Sequence, residues 1–271
     1  MSESNSPPKV LVLHGYAQNA NIFSKRLAAL RKTLGKSVEL VFLDAPILLY
    51  PVDLAETFGT SSASASDLSA LGAAEASPEA EDPALMPRGW WKANKERTSS
   101  DGMEGTLDYL KGVLQGQRFE GVFGFSQGAA MAAMLAALLE RPHIHPPFLV
   151  DGEAPHPPFK FCISASGFKP VGAFAEKLFT ESFNTPTLHV IGKNDVLVVP
   201  ERSQTLVEVS ANARVEEHDG GHFVPSKANW RQFFKAYLLD PTGDVPSPSA
   251  APSLPASGTA TPNTTVGHPA L

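Results

Sequence analysis

The stretch Gly124-Phe125-Ser126-Gln127-Gly128 lies between a short apolar run, residues 119–125, and a longer apolar run, residues 129–139. A serine between two glycines at a strand-to-helix junction is typical of a nucleophile elbow. Glycines flank such a serine because side chains there would collide with the neighbouring strand and helix. The motif therefore predicts that Ser126 stands above a sheet at the N-terminus of a helix, where the helix dipole favours negative charge.

Two polar residues further along the chain fit the partners that such a serine needs. Asp195 follows the apolar run 187–192, and His222 follows the run 214–218. Sites in open parallel sheets are built at the carboxyl ends of strands, and elbow hydrolases carry their partners in the order Ser, Asp or Glu, His. We therefore predict a catalytic triad in which Ser126 is the nucleophile, His222 the base and Asp195 the residue that orients the histidine.

Other residues are weaker candidates for these two roles. His189 lies inside a predicted strand, His218 ends one, and Asp219 is too close in sequence to His222 for the usual geometry. Asp44 follows the second predicted strand and stays open as a structural or pocket carboxylate. No metal site is expected, because no pattern of acidic or cysteine ligands accompanies the histidines of the proline-rich connection. The polar residues of that connection are His143, His145, Asp151, Glu153 and His156.

Two backbone N–H groups are predicted to form an oxyanion hole. One belongs to Gln127, the residue after the nucleophile. The loop after the first predicted strand begins with His14-Gly15, which lets it turn sharply across the serine, so we assign the second donor to Tyr16. One such donor typically contributes about 100- to 1,000-fold in rate.

Trp90 and Trp91 form an unusual aromatic pair. They are candidate substrate-binding residues that would wall an apolar acyl pocket or anchor a lid. Ordinary packing of the lid stem on the core stays open as the alternative for at least one of them.

Composition narrows the class of protein. The chain has 271 residues, of which 42% are hydrophobic and 18% charged, as expected for one soluble α/β domain. We expect no cofactor. The net charge of −6 and the absence of a long basic run argue against nucleic acid or an anionic membrane as the main partner. Cys162 is the only cysteine. The N-terminus lacks a signal-peptide core and no stretch has membrane-spanning length, so we expect a cytoplasmic protein, with nuclear access left open.

Strand-like and helix-like runs alternate along the chain and predict an α/β fold with about six mostly parallel strands and helices on both faces. The domain is expected over 9–240, after a disordered N-terminus at 1–8. The predicted strands are 10–14, 38–43, 119–125, 161–165, 187–192 and 214–218. The predicted helices are 20–34, 102–114, 127–139, 200–211 and 227–239.

Two segments depart from this alternation. Residues 59–85 are rich in Ala and Ser and are predicted to be a flexible insertion near the active site, either part of a lid or a surface loop without a role. Residues 241–271 are rich in Pro, Ser and Thr and are predicted to be a disordered tail.

With these residues in place, the chain resembles the fungal and animal family of serine hydrolases often called the FSH group, within the α/β-hydrolase superfamily. The resemblance covers roughly residues 9–240. It implies that Ser126, Asp195 and His222 of this chain occupy the positions of the catalytic triad in that family. The similar blocks are Val10-Leu11-Val12-Leu13-His14-Gly15-Tyr16-Ala17-Gln18-Asn19, Leu43-Asp44-Ala45-Pro46, Arg88-Gly89-Trp90-Trp91, Gly124-Phe125-Ser126-Gln127-Gly128-Ala129 and Gly220-Gly221-His222-Phe223-Val224-Pro225.

The resemblance implies an esterase or thioesterase acting on a small-molecule acyl substrate. Some fungal members resemble thioesterases of secondary metabolism that release polyketide chains from a synthase, which would make an acyl carrier domain a partner. Others act on short or medium acyl esters, and the elbow block also resembles that of carboxylesterases and acyl-protein thioesterases. An acyl transferase and a non-catalytic hydrolase-fold binding protein remain open alternatives.

Overall fold

The computed structural model describes residues 6–61, 64–96, 98 and 100–249. Within these residues, six parallel strands form one sheet in the order β2-β1-β5-β6-β7-β8, and β3 pairs with β4 in a small antiparallel sheet. The predicted parallel sheet is confirmed. The strands are β1 (Lys9–Leu13), β2 (Glu39–Leu43), β3 (Ile47–Leu48), β4 (Arg88–Gly89), β5 (Gly121–Phe125), β6 (Phe161–Ala165), β7 (Thr187–Gly192) and β8 (Ala213–His218).

Helices cover both faces of the large sheet. α6 is buried along almost its whole length against β5 and β6, which explains why its sequence is apolar on every side. The predicted helix 20–34 is divided at Leu27 into α1 and α2. The α-helices of the described residues are α1 (Ala20–Arg26), α2 (Ala28–Leu34), α3 (Pro51–Phe58), α4 (Ala65–Ala70), α5 (Met103–Gly116), α6 (Gln127–Glu140), α7 (Ala173–Leu178), α8 (Pro200–Val207) and α9 (Ala228–Leu239).

Two apolar layers enclose the sheet because successive side chains of a strand point to opposite faces. In β1, Leu11 and Leu13 pack in the layer of α5 and α6, whereas Val10 and Val12 pack in the layer of α1, α2 and α9. This alternation fixes the register of β1. The loop that follows β1 therefore begins at the carboxyl edge of the sheet.

Helix α3 was not predicted from the sequence, although its start carries a recognisable signal. Pro51 occupies the first turn, and the Asp53 carboxylate accepts a hydrogen bond of 2.8 Å from the Tyr50 N–H. Proline suits the first turn of a helix because its missing N–H would have no partner there. The segment is only eight residues long, which is too short for its apolar pattern to indicate a helix by itself.

The segment 59–85 contains α4 and contributes side chains to a third apolar cluster. Leu68, Ala73 and Ala76 are buried there together with Tyr16 and Leu49. Residues 62 and 63 of the predicted flexible insertion lie outside the described residues. The packed part of the segment thus lies against the loop that follows β1.

The start of the predicted tail, residues 241–249, contacts the domain. Arg214 of β8 donates a hydrogen bond of 2.6 Å to the Val245 carbonyl, and the Ser247 hydroxyl donates one of 2.6 Å to Glu216. Residues 250–271 of the predicted tail and residues 1–5 of the predicted N-terminus lie outside the described residues. In the part of the chain that the structure covers, no helix is long and apolar enough to cross a membrane.

Candidate active site

Ser126 occupies a sharp turn between β5 and α6, as the motif predicts. Its backbone has φ 53° and ψ −119°, a conformation that costs a non-glycine residue free energy and that the surrounding structure must hold in place. A Cβ on Gly124 would lie 2.2 Å from the Gly128 carbonyl oxygen, and one on Gly128 would lie 2.3 Å from the Leu13 carbonyl oxygen. Both glycines are therefore required by close backbone contacts.

Ser126, His222 and Asp195 are joined by two hydrogen bonds. The Ser126 Oγ lies 3.0 Å from His222 Nε2, and His222 Nδ1 lies 2.8 Å from Asp195 Oδ2. The second carboxylate oxygen of Asp195 accepts bonds of 2.9 Å from the N–H groups of Leu197 and Val198. This carboxylate is fixed from two sides, so it holds the imidazole with its unprotonated Nε2 facing the serine.

The environment of Asp195 favours its charged form. The residue is 3% exposed, and this burial by itself would raise its pKa. The hydrogen bond and charge of His222, together with the Val198 N–H, outweigh burial and hold the pKa of Asp195 below its usual value. A carboxylate that stays ionised can stabilise positive charge on the imidazole beside it.

The loop that follows β1 crosses directly over Ser126. A Cβ on Gly15 would lie 3.3 Å from the Ser126 Cβ and 2.9 Å from the Phe125 ring, so only glycine lets the loop pass this closely. Within the described residues, neither the Tyr16 N–H nor the Gln127 N–H has a hydrogen-bond partner. Gln127 begins α6, where the first N–H groups have no partner within the helix.

The His14 side chain is fully buried and supports the start of this loop. Its Nε2 accepts a hydrogen bond of 3.0 Å from the Ala45 N–H, and its Nδ1 lies 2.8 Å from the Gly15 carbonyl. Complete burial lowers the pKa of His14 to about 4, so the ring is neutral at neutral pH. The Trp90 indole N–H donates to the His14 carbonyl at 2.8 Å, which ties a second segment to the same point.

The side chain of Gln127 attaches the tryptophan pair to the elbow. Its Oε1 accepts a bond of 2.8 Å from the Trp90 N–H, and its Nε2 donates one of 2.8 Å to the Trp91 carbonyl. Gln127 was predicted only for its backbone N–H. The side-chain role joins residues 36 positions apart or more in sequence, and no local pattern indicates such a bond.

Gln18 makes a similar attachment between the loop after β1 and the segment 59–85. It is fully buried, and its Oε1 accepts a bond of 3.1 Å from the Gly15 N–H. Its Nε2 donates bonds of 3.1 Å to the carbonyls of Leu71 and Gly72. One amide thus holds the loop over Ser126 and the nearby wall of the site in a fixed relation.

A cavity of about 260 Å³, called here the main cavity, opens at Ser126 and His222. Tyr16 and Gln127 also line it, which places both predicted oxyanion residues at the same opening. The two predicted substrate-binding tryptophans differ: Trp91 lines the main cavity, whereas Trp90 is fully buried beside His14 and does not. Trp90 lies in the interior because its indole N–H donates a hydrogen bond to the His14 carbonyl.

A second cavity of about 230 Å³ is also lined by His222. Its lining includes Phe125, Phe223 and Arg26 but not Ser126. Leu71 lines the main cavity and Gly72 lines the second one, so the two residues held by Gln18 contribute to different cavities.

The remaining candidate residues lie in other contacts. His189 is buried beside the Ser210 hydroxyl at 3.1 Å, and burial lowers its pKa to about 4. Asp219 pairs with Lys193 at 2.8 Å. Asp44 accepts a bond of 2.8 Å from the Ala20 N–H. Among the described residues, no group of three or more His, Cys, Asp or Glu is arranged to hold a metal ion.

Known proteins are similar to this chain in sequence and in fold. Residues 1–234 match the family described as Serine hydrolase (FSH1). Esterase OVCA2 of Danio rerio is 35% identical over 243 residues, with 86% of this chain and 96% of the relative covered. Esterase OVCA2 of Xenopus tropicalis is 32% identical over 245 residues, with 85% and 91% covered.

A solved structure extends the comparison to the fold. The crystal structure of Zea mays acyl-protein thioesterase 2 matches with a TM-score of 0.55 at 17% identity, and covers 88% of this chain and 95% of that one. The predicted α/β-hydrolase fold is confirmed.

Proposed function

Because the chain belongs to the serine hydrolase (FSH1) family, we propose that it cleaves carboxylic esters or thioesters and that Ser126 carries the acyl group during the reaction. The observation that supports this most directly is the pair of hydrogen bonds through His222, 3.0 Å to Ser126 and 2.8 Å to Asp195. A serine hydroxyl is a weak nucleophile unless a base lies within hydrogen-bond reach and a third group orients that base.

The reaction has two halves. In the first, Ser126 Oγ attacks the carbonyl carbon while its proton passes to His222 Nε2, and His222 then gives that proton to the leaving alcohol or thiol as the bond to it breaks. In the second, His222 takes a proton from water, the hydroxide attacks the acyl-enzyme, and Ser126 recovers its proton as the acid leaves. Asp195 stabilises the imidazolium in both halves.

The backbone N–H groups of Tyr16 and Gln127 are the proposed donors to the carbonyl oxygen as it becomes negative. They have no partner among the described residues, and both residues line the main cavity beside Ser126. Donors fixed in advance stabilise this charge without reorganisation at the moment of reaction. The N-terminus of α6 adds the favourable end of its dipole.

The two cavities suggest where the acyl chain and the leaving group of the substrate bind. The acyl chain would occupy the main cavity, because this cavity contains Ser126 and both proposed oxyanion residues. The leaving group would lie towards the second cavity, since His222 must deliver a proton to it and lines that space as well. Trp91 is then a candidate contact for the acyl chain, and Trp90 is not.

Release of an acyl chain from the carrier domain of a synthase, as in fungal secondary metabolism, is the most specific form of this proposal. A thiolate leaves more readily than an alkoxide, so the same residues can act on a thioester. The test compares an acyl pantetheine thioester, the matching oxoester and an acyl-loaded carrier domain. A higher kcat/KM for the carrier-bound chain would support this form, and equal or lower values would contradict it.

The experiment for the main proposal measures turnover of a series of p-nitrophenyl esters by the wild type, by Ser126→Ala and by Ser69→Ala. Ser69 is an exposed serine on α4 and controls for loss of a hydroxyl elsewhere. We expect Ser126→Ala to be inactive with an unchanged melting temperature and Ser69→Ala to be active. Retained turnover in Ser126→Ala would contradict the proposal, and products acylated on an added alcohol or amine would identify a transferase instead.

A further inference from the structure

The short connection 219–221 joins the end of β8 to His222, and Asn194 holds two of its carbonyl groups. The Asn194 side chain donates a hydrogen bond of 2.7 Å to the Asp219 carbonyl, and the Asn194 N–H donates one of 3.0 Å to the Gly220 carbonyl. Because only three residues separate β8 from His222, the direction of this connection decides where the imidazole lies.

His218, the last residue of β8, holds the opposite end of one of these peptide groups. The Gly220 N–H donates a hydrogen bond of 3.1 Å to His218 Nδ1, and this N–H belongs to the same peptide group as the Asp219 carbonyl. The group is therefore held at its oxygen by Asn194 and at its nitrogen by His218. Since a peptide group is planar, bonds at both ends fix its orientation.

The His218 ring also contacts the residue that follows His222. Its centre lies 5.1 Å from that of the Phe223 ring, and the Trp230 ring of α9 meets it edge to face at 5.8 Å. A Cβ on Gly220 would lie 2.8 Å from His218 Nδ1, so the ring is packed directly against the backbone. One side chain thus contacts the chain on both sides of His222.

His218 is held in the protonation state that this contact needs. The residue is 7% exposed, and burial lowers its pKa more than the carboxylates of Asp195 and Asp219 raise it. The neutral ring carries its proton on Nε2, because Nδ1 accepts from the Gly220 N–H. Nε2 is buried and has no hydrogen-bond partner among the described residues. An unpaired buried N–H lowers stability, so an apolar side chain would suit this position better unless the acceptor at Nδ1 has a use.

We propose that His218 is a positioning residue for the base His222. By accepting from the Gly220 N–H, it fixes the turn from β8 into His222 and keeps His222 Nε2 at 3.0 Å from the Ser126 hydroxyl. His218 does not line the main cavity, so loss of its acceptor should lower kcat and leave KM nearly unchanged. This inference rests on the proposed hydrolase function and adds a residue to the machinery of the same site.

Two substitutions separate the acceptor of His218 from its ring. His218→Phe keeps an aromatic ring against Phe223 and Trp230 but has no acceptor, whereas His218→Asn loses the ring and places its Oδ1 near the position of Nδ1. We expect kcat for a p-nitrophenyl ester to fall about 10- to 100-fold in His218→Phe, and most of it to return in His218→Asn. His218→Leu makes the same test with a smaller side chain should the phenylalanine variant fold poorly.

The same substitution at His189 serves as the matched control. His189→Phe removes another buried histidine, whose Nε2 lies 3.1 Å from the Ser210 hydroxyl, and it should leave kcat unchanged. The melting temperature of each variant shows whether the assay temperature lies within its folded range.

The outcomes distinguish this inference from the function beneath it. Equal kcat values in the wild type and His218→Phe would overturn the positioning role and leave the hydrolase proposal standing. Equally low kcat values in His218→Phe and His218→Asn would also overturn it, because the ring and not its acceptor would then matter, as would an equal fall in His189→Phe. A wild type that hydrolyses none of the esters would overturn the proposed function and the role of His218 together.

Discussion

The two sides of the candidate site are held in place by different means. Ser126, Asp195 and His222 follow the carboxyl ends of β5, β7 and β8, so the parallel sheet brings them together. The loop 14–19 on the other side is positioned by side-chain amides that reach across the sequence, above all from Gln18. The strand side is therefore set by the fold, whereas the loop side depends on a few buried hydrogen bonds.

This difference predicts distinct consequences of mutation. A change on the strand side should alter the chemistry with little effect on the shape of the site. A change on the loop side should alter the position of the proposed oxyanion donor, the lining of both cavities and the stability together.

The largest effect is expected for Asp195→Asn on the strand side. The substitution keeps the shape but replaces the charged acceptor of the His222 Nδ1–H, so the imidazole loses the stabilisation of its charged form. We expect kcat to fall by about 10⁴-fold, as for the equivalent change in other Ser-His-Asp enzymes. Steady-state turnover of the best ester measures it, and a fall of less than about tenfold would show that Asp195 does not orient the base.

A smaller but broader effect is expected for Gln18→Met on the loop side. The methionine fills a similar volume but leaves the Gly15 N–H and the carbonyls of Leu71 and Gly72 without their partner. Displacement of the loop 14–19, which carries the proposed oxyanion donor Tyr16, should lower kcat by up to about 100-fold. The unpaired groups should lower the free energy of unfolding by about 1–3 kcal/mol.

Gln18→Glu separates the two halves of this contact. A glutamate can still accept from the Gly15 N–H but cannot donate to the two carbonyls. A larger kcat in Gln18→Glu than in Gln18→Met would locate the catalytic contribution in the bond to Gly15. Equal kcat values in the wild type and Gln18→Met would contradict a positioning role for Gln18.

Glycine substitutions test how tightly the elbow itself is packed. A Cβ on Gly128 would lie 2.3 Å from the Leu13 carbonyl oxygen, whereas one on Gly105 in α5 would meet nothing within 4 Å. Gly128→Ala should lower the free energy of unfolding by about 1–3 kcal/mol, and Gly105→Ala should raise it by roughly 0.5–1 kcal/mol. Chemical denaturation of both variants measures the difference, and similar values for the two would contradict the packing described here.

The smallest expected effect is the contribution of His14, on the loop side, to the pH dependence of stability. Its pKa is lowered to about 4 in the folded protein, against about 6.5 for an ordinary histidine. Between these values the unfolded chain binds a proton that the folded protein does not, so stability falls as the pH is lowered from 6.5 towards 4, by at most about 1.4 kcal/mol per unit. Above pH 6.5 and below pH 4, His14 contributes no slope.

Unfolding of the wild type and His14→Asn at pH 7 and at pH 5.5 measures this contribution as a difference. The comparison with the variant is needed because His189 has a similarly lowered pKa and adds its own slope. A wild-type loss of stability that is about 1 kcal/mol larger than that of the variant is expected. Identical losses in both proteins would show that His14 is not held neutral by burial.

The same contrast explains how far the sequence could be interpreted. The elbow motif and the strand-like runs before Asp195 and His222 are local patterns, and strand ends of a parallel sheet meet at one edge, so the fold and the convergence of these three residues could be predicted. The amide contacts of Gln18 and Gln127 connect residues between 36 and 54 positions apart, apart from the short bond to Gly15. Nothing local in the sequence indicates such partners.

The tryptophan pair shows the same limit within two residues. Trp90 and Trp91 are adjacent and chemically equivalent in the sequence, yet one indole is buried against the His14 carbonyl and the other lines the main cavity. The two indoles have different surroundings because of the direction of β4 and the hydrogen bonds that the Gln127 side chain makes to the Trp90 N–H and the Trp91 carbonyl. Both are tertiary features. The sequence could therefore indicate an aromatic contribution to the site but not which ring makes it.

Activation of Ser126 can be measured by covalent labelling with a fluorophosphonate probe and determination of the intact mass. We expect a single adduct on the wild type, no adduct on Ser126→Ala, and normal labelling of Ser69→Ala. An adduct that persists on Ser126→Ala, or a folded wild type that acquires none, would contradict the assignment of Ser126 as the nucleophile.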